Sequence, residues 1–233
     1  MTPIRFYKLL LWFLFIHAAV WIQLASAQGP TYQYQQALGW LEEGRRLLTQ
    51  RNYAQAQAQF TRYVQVYPND PRGYFWLGMA LDEAGDADAA LQQYSRALDA
   101  AKELSMDASE LRSNLGNTLL KLHYIKEATY DFKRALEIDP TQMQAHVGLA
   151  QAYLSLNQYQ DALAELQVCS DHRFFDPSLP FLKARALLGL GRTGEAREQL
   201  QLYEHGVAGA TGDLVDSARL LLQQLPPQTG SSG

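Results

Sequence analysis

IKEATYDFKRA, residues 125–135, returns in outline four more times along the chain. Its opening turn, Ile125-Lys126-Glu127-Ala128, aligns with Tyr53-Ala54-Gln55-Ala56, Ala87-Asp88-Ala89-Ala90, Tyr159-Gln160-Asp161-Ala162 and Thr193-Gly194-Glu195-Ala196. The closing alanines fall at 56, 90, 128, 162 and 196, in steps of 34, 38, 34 and 34 residues. Four residues after each stands a large apolar side chain: Phe60, Tyr94, Phe132, Leu166 or Leu200. Three further on come Tyr63, Ala97, Ala135, Cys169 and Tyr203, and twelve residues before each alanine stands a small residue, Gly44, Gly78, Gly116, Ala150 or Ala184. Offsets of four and three keep the alanine, the bulky residue and the last residue on one helical face. A small residue on a preceding helix lets that face approach closely. The unit is a helix hairpin that cannot bury its apolar face alone, so copies must stack.

This spacing resembles that of the tetratricopeptide-repeat (TPR) family, whose pattern runs W-x2-L-G-x2-Y, then A-x3-F, then P. Trp40 with Gly44, Leu77-Gly78 and Leu115-Gly116 match it, and Pro68 and Pro140 supply the closing proline. Glu43 and Lys183 depart from it, standing where an apolar residue precedes the small one, and the second, fourth and fifth copies lack the proline. Four extra residues around Ser105–Ala108 lengthen the second repeat by about one helical turn.

The resemblance implies an all-α solenoid of about five hairpins over residues 37–210, with repeats at about 37–70, 71–104, 109–142, 143–176 and 177–210. Residues 211–225 read as a capping helix, with Leu214, Ala218, Leu221, Leu222 and Leu225 on one face. Pro226-Pro227 stops it, and residues 226–233 read as a disordered tail.

The N-terminus carries a different signal. Arg5 and Lys8 precede an apolar run from Leu9 to Ile22, and Ala25-Ser26-Ala27 follows before Gln28. A basic head, an apolar centre and a small-residue exit together make a secretory signal peptide over residues 1–27, with a linker at 28–36. An uncleaved anchor is the alternative, but the run falls short of the roughly 20 apolar residues a spanning helix needs. Cleavage removes two cations and leaves the mature chain more acidic than the formal −4 of the whole. The bacterial periplasm is the expected compartment and a thylakoid lumen the next.

Composition narrows the function. Of 233 residues, 47% are hydrophobic and 19% charged, the balance of an ordinary globular chain. An acidic net charge argues against a nucleic-acid partner, which calls for a basic face. Cys169 is the single cysteine, so no intrachain disulfide forms, and its place in the packing column reads as a small buried hydrophobe. Gly189-Leu190-Gly191-Arg192-Thr193-Gly194 satisfies the dinucleotide pattern G-x-G-x-x-G, which needs a preceding strand. Here it falls at a helix turn. The five histidines show no metal-ligand spacing, and His123 reads as a solvated turn residue. No catalytic constellation is legible, and neither cofactor nor metal is expected.

In the resembling family, first helices line a concave groove that holds a partner. Carried onto this chain, the groove positions include Leu41 and Arg45, Phe75 and Met79, Asn117 and Lys121, Gln151, then Phe181 and Arg185. Apolar anchors alternating with polar groups suit a helix or extended peptide of a protein partner. The carboxylate clamp of chaperone cofactors is not matched, since Leu41, Phe75 and Met79 occupy its region. The expectation is a non-catalytic interaction scaffold. A self-associating component that uses the solenoid ends is the alternative.

Overall fold

The computed structural model describes residues 30–104, 108–207 and 212–225. Among them are eleven α-helices and no strand. The chain divides into two compact units, residues 1–69 and 70–233. The first unit carries one hairpin, α1 (Pro30–Thr49) and α2 (Tyr53–Val66). The second carries four: α3 (Pro71–Glu83) with α4 (Ala87–Glu103), α5 (Ser109–Lys121) with α6 (Ile125–Ile138), α7 (Met143–Ser155) with α8 (Tyr159–Asp171), and α9 (Leu179–Gly189) with α10 (Thr193–Gly206). A single helix, α11 (Asp213–Gln224), follows them. The fold is all-α and of the TPR solenoid type.

Each hairpin turns on one left-handed residue: Arg51 (φ 56°), Gly85 (89°), His123 (62°), Asn157 (59°) and Gly191 (74°). These positions repeat with the same 34- and 38-residue steps as the alanines. At every turn the amide after the left-handed residue reaches back to a carbonyl five residues earlier, as Tyr124 does to Leu119 at 2.8 Å and Asp86 to Leu81 at 2.9 Å. That is the Schellman closure of a helix C-terminus. Asn52 and Asp86 then cap the second helices by accepting the N–H of Gln55 and Ala89.

The small and bulky columns meet inside each hairpin. A Cβ added at Gly116 would stand 2.8 Å from the Phe132 ring, and one at Gly78 2.7 Å from Tyr94. Phe60 lies against Gly44 in the same way. Where the small residue is alanine, at 150 and 184, the bulky one is Leu166 or Leu200, so volume is conserved across the pair. All five closing alanines are fully buried.

Two polar pairs sit between hairpin helices one repeat apart. Arg112 on α5 meets Asp131 on α6 at 2.6 Å, and His146 on α7 meets Glu165 on α8 at 2.6 Å. The other ring nitrogen of His146 lies 3.1 Å from the Pro140 carbonyl.

One boundary and one buried face differ from the sequence expectation, and one length agrees with it. Helix α1 starts at Pro30, inside the expected linker, with Pro at its first turn and Tyr34 edge-on to Tyr67 at 5.8 Å. The long second repeat extends its helix by about one turn, as expected, since α4 runs 17 residues against 14 in α2 and α6. On α11 the buried residues are Val215 and Ala218, with Leu221, Leu222 and Leu225 packed beside them, whereas Leu214 is exposed. The expected signal peptide and the expected tail lie outside the described residues. Among the described residues no helix is long and apolar enough to cross a membrane.

Candidate partner-binding groove

Within the second unit, the first helices α3, α5, α7 and α9 follow one another side by side. The expected groove residues of this unit fall on them at different depths. Phe75 and Met79 are half-buried at the margin of the core, and the Phe75 ring stands 5.2 Å from Trp76 and 6.3 Å from Tyr94. Phe75 lines a hollow of about 270 Å³ with Arg72, Glu110 and Leu111. Asn117 is half-buried. Lys121 is exposed, and its ammonium donates to Asp82 Oδ2 at 2.8 Å, tying α5 to α3. The other oxygen of Asp82, Oδ1, is buried with no donor among the described residues.

Gln151, Phe181 and Arg185 converge. They line a second hollow, of about 290 Å³, with Leu120, Ser155 and Leu214. Spacing explains the convergence, because residues three and four apart on α9 share a face and Gln151 occupies the equivalent register on α7. Phe181 is itself buried, packed 5.5 Å from the Tyr203 ring, so it forms the floor. Arg185 is exposed and meets no carboxylate among the described residues. The hollow therefore offers an apolar floor, an amide that both donates and accepts, a hydroxyl and a guanidinium.

In the first unit, Leu41 is buried and Arg45 exposed on α1. Leu41 thus serves that unit's packing. Sequence reasoning missed Leu214, His123 and Ile125, which also border the α7–α9 hollow. Leu214 belongs to α11, which repeats nothing, so no periodic signal placed it.

The remaining candidate residues have structural places. Gly189–Gly194 spans the end of α9, the left-handed turn at Gly191 and the start of α10, with helix on both sides. Cys169 is fully buried, and its thiol contacts the Met143 carbonyl at 3.7 Å. Burial first, then Glu165 and Asp176, push that thiol up to about 11, which makes it a poor nucleophile at neutral pH. Among the described residues no group of three His, Cys, Asp or Glu side chains is placed to hold a metal ion.

A repeated helix hairpin closed by a left-handed turn, with first helices side by side in the second unit, defines a class of protein-interaction scaffold. Two tetratricopeptide-repeat models match the chain, over residues 41–104 and 119–179, together more than half of it. The chain belongs to the tetratricopeptide-repeat family, whose members bind peptides or proteins. It is 32% identical over 102 residues to DnaJ homolog subfamily C member 3 of Rattus norvegicus, a match covering 44% of this chain and 19% of that protein. The match thus spans about a fifth of that relative's length. Among solved structures it is similar to PilW, a widely conserved type IV pilus biogenesis factor, with TM-score 0.70, 20% identity and coverage of 81% of this chain and 87% of that one. It is also similar to YrrB, a TPR protein with an unusual peptide-binding site, with TM-score 0.62, 16% identity and coverage of 79% and 92%. At these identities the likeness is one of fold.

Proposed function

We propose that this chain is a non-catalytic adaptor of the cell envelope that holds a helix or extended segment of a partner protein against its first helices. The convergence of Gln151, Phe181 and Arg185 in one hollow carries the reading. An apolar floor anchors one or two partner side chains, and the surrounding amide, hydroxyl and guanidinium fix the backbone and an acidic group. The peptide-binding site of YrrB and the pilus-biogenesis role of PilW support an adaptor. Export rests on the basic, apolar and small-residue order of residues 1–27.

Affinity capture from an envelope extract tests the binding claim, with the tagged chain and a Gln151→Ala/Arg185→Glu variant as baits. Arg185 is exposed and Gln151 half-buried, neither in the core, so the variant should keep the fold. A protein held by the parent and lost by the variant is the expected outcome. Equal retention by both baits moves the contact off the first helices and favours association through the ends of the array. Mass spectrometry of the exported chain checks the leader, which should end at Ala27.

A further inference from the structure

A third cavity, of about 350 Å³, lies away from the first-helix hollows, between the loop joining α8 to α9 and the last turns of α10. Its walls are mostly apolar: Phe174 is half-buried, Phe175 stands 86% exposed at the rim, and Leu202 on α10 is 57% exposed. One cation from α9 stands among them. Lys183 holds the position that Leu77, Leu115 and Leu149 fill in the three preceding repeats, each of them buried. A lysine in that column gives up packing, so its charge calls for a role.

The Lys183 ammonium donates to the Ser170 hydroxyl at 2.6 Å. No carboxylate touches it among the described residues, and Asp171 acts on it only from a distance. An ammonium carries three donors, and a neutral hydroxyl takes one of them. Partial burial lowers the lysine's proton affinity, a cost that an anion in contact would offset. Asp176 also borders the cavity. Its Oδ1 is already committed, accepting the Ser178 N–H at 2.8 Å and the Ser178 hydroxyl at 2.7 Å.

We propose that this cavity binds a compact apolar carboxylic acid, with the carboxylate on Lys183 Nζ and the apolar group between Phe174, Phe175 and Leu202. The volume lies at the small end of ligand sites. It suits one aromatic or branched aliphatic group rather than a long acyl chain. A free arylalkanoic acid and the last residue of a polypeptide share this chemistry.

Calorimetric titration of the full chain tests the site with four probes: 3-phenylpropionate, its amide, and N-acetyl-Leu-Phe as acid and as amide. Both acids should saturate, and each amide should bind about tenfold more weakly, the loss of one charge-assisted hydrogen bond. Lys183→Met should erase the preference for acid over amide while cooperative unfolding persists. Leu202→Glu, at an exposed position, should abolish binding of both acids. Tighter binding of the dipeptide acid assigns the site to a polypeptide C-terminus, and the reverse order assigns it to a small acid. Equal binding of acids and amides, an acid preference retained in Lys183→Met, or no saturation below about 10 mM overturns the proposal.

Discussion

Phe132 is gripped between two glycines from different hairpins, Gly116 on α5 and Gly148 on α7. Its ring is fully buried and has nowhere to move. Gly148→Ala should therefore cost about 1–3 kcal/mol, because overpacking outweighs the helix propensity that alanine adds. Gly39 lies inside α1 with nothing within 4 Å of an added Cβ. Gly39→Ala should stabilise by up to about 1 kcal/mol, so the same substitution changes sign with its surroundings. Urea denaturation of the two variants checks this, and a shared direction would contradict it. Gly116 was legible in the sequence because it lies in the repeated column. Gly148 was not, since no other repeat has glycine at that position and only the neighbouring hairpin's ring explains it.

Cys169 gives a test in pH. Its folded thiol titrates near 11 against an ordinary 9.0. The folded state thus holds the proton more tightly than the unfolded chain. That contribution is intact below pH 9 and is lost as pH rises from 9 towards 11. The stability advantage of the parent over Cys169→Ala should shrink across that window, by no more than about 3 kcal/mol. A difference that stays constant with pH would show that the thiol is not buried as described.

Between elements, the Arg112–Asp131 pair is the sharpest case. Burial raises the Asp131 carboxyl despite the guanidinium beside it, so desolvation outweighs the attraction of the pair. Removing one partner leaves the other charge uncompensated. Arg112→Met alone should cost about 3–5 kcal/mol, while Arg112→Met/Asp131→Leu should return close to the parent. Thermal unfolding of the singles and the double closes the cycle, and additive losses would contradict the account. At this scale the second helices were legible from the alanine column, because offsets of four and three belong to one helical face. The first turn of the α11 face was not. The expected face ran from Leu214 through Ala218, Leu221, Leu222 and Leu225, yet beside Phe181 and Tyr203 it is Val215 that joins Ala218 in the core, and Leu214 is exposed. A lone amphipathic helix rich in leucine has several nearly equivalent faces, and only its neighbours choose among them.

For the molecule as a whole, fold class and repeat number followed from one period, since a hairpin that recurs every 34 residues has few other ways to bury its apolar side. The geometry of the candidate site was legible in part. Gln151, Phe181 and Arg185 were placed on one surface by resemblance to the family and do meet in one hollow. Their depth was not legible: Phe181 and Leu41 are buried, because exposure depends on which neighbours cover a helix face. Lys121 is partly spent on Asp82, a partner 39 residues away that no local pattern reveals.

Site-specific photo-crosslinking tests the central claim most directly. A benzophenone side chain placed at Arg185, in the hollow, should yield a discrete adduct with a partner protein in cells. The same group at Tyr130, 60% exposed on the second helix α6, should yield none. A partner adduct from position 130 with none from position 185 would contradict the account and place the working surface on the second helices.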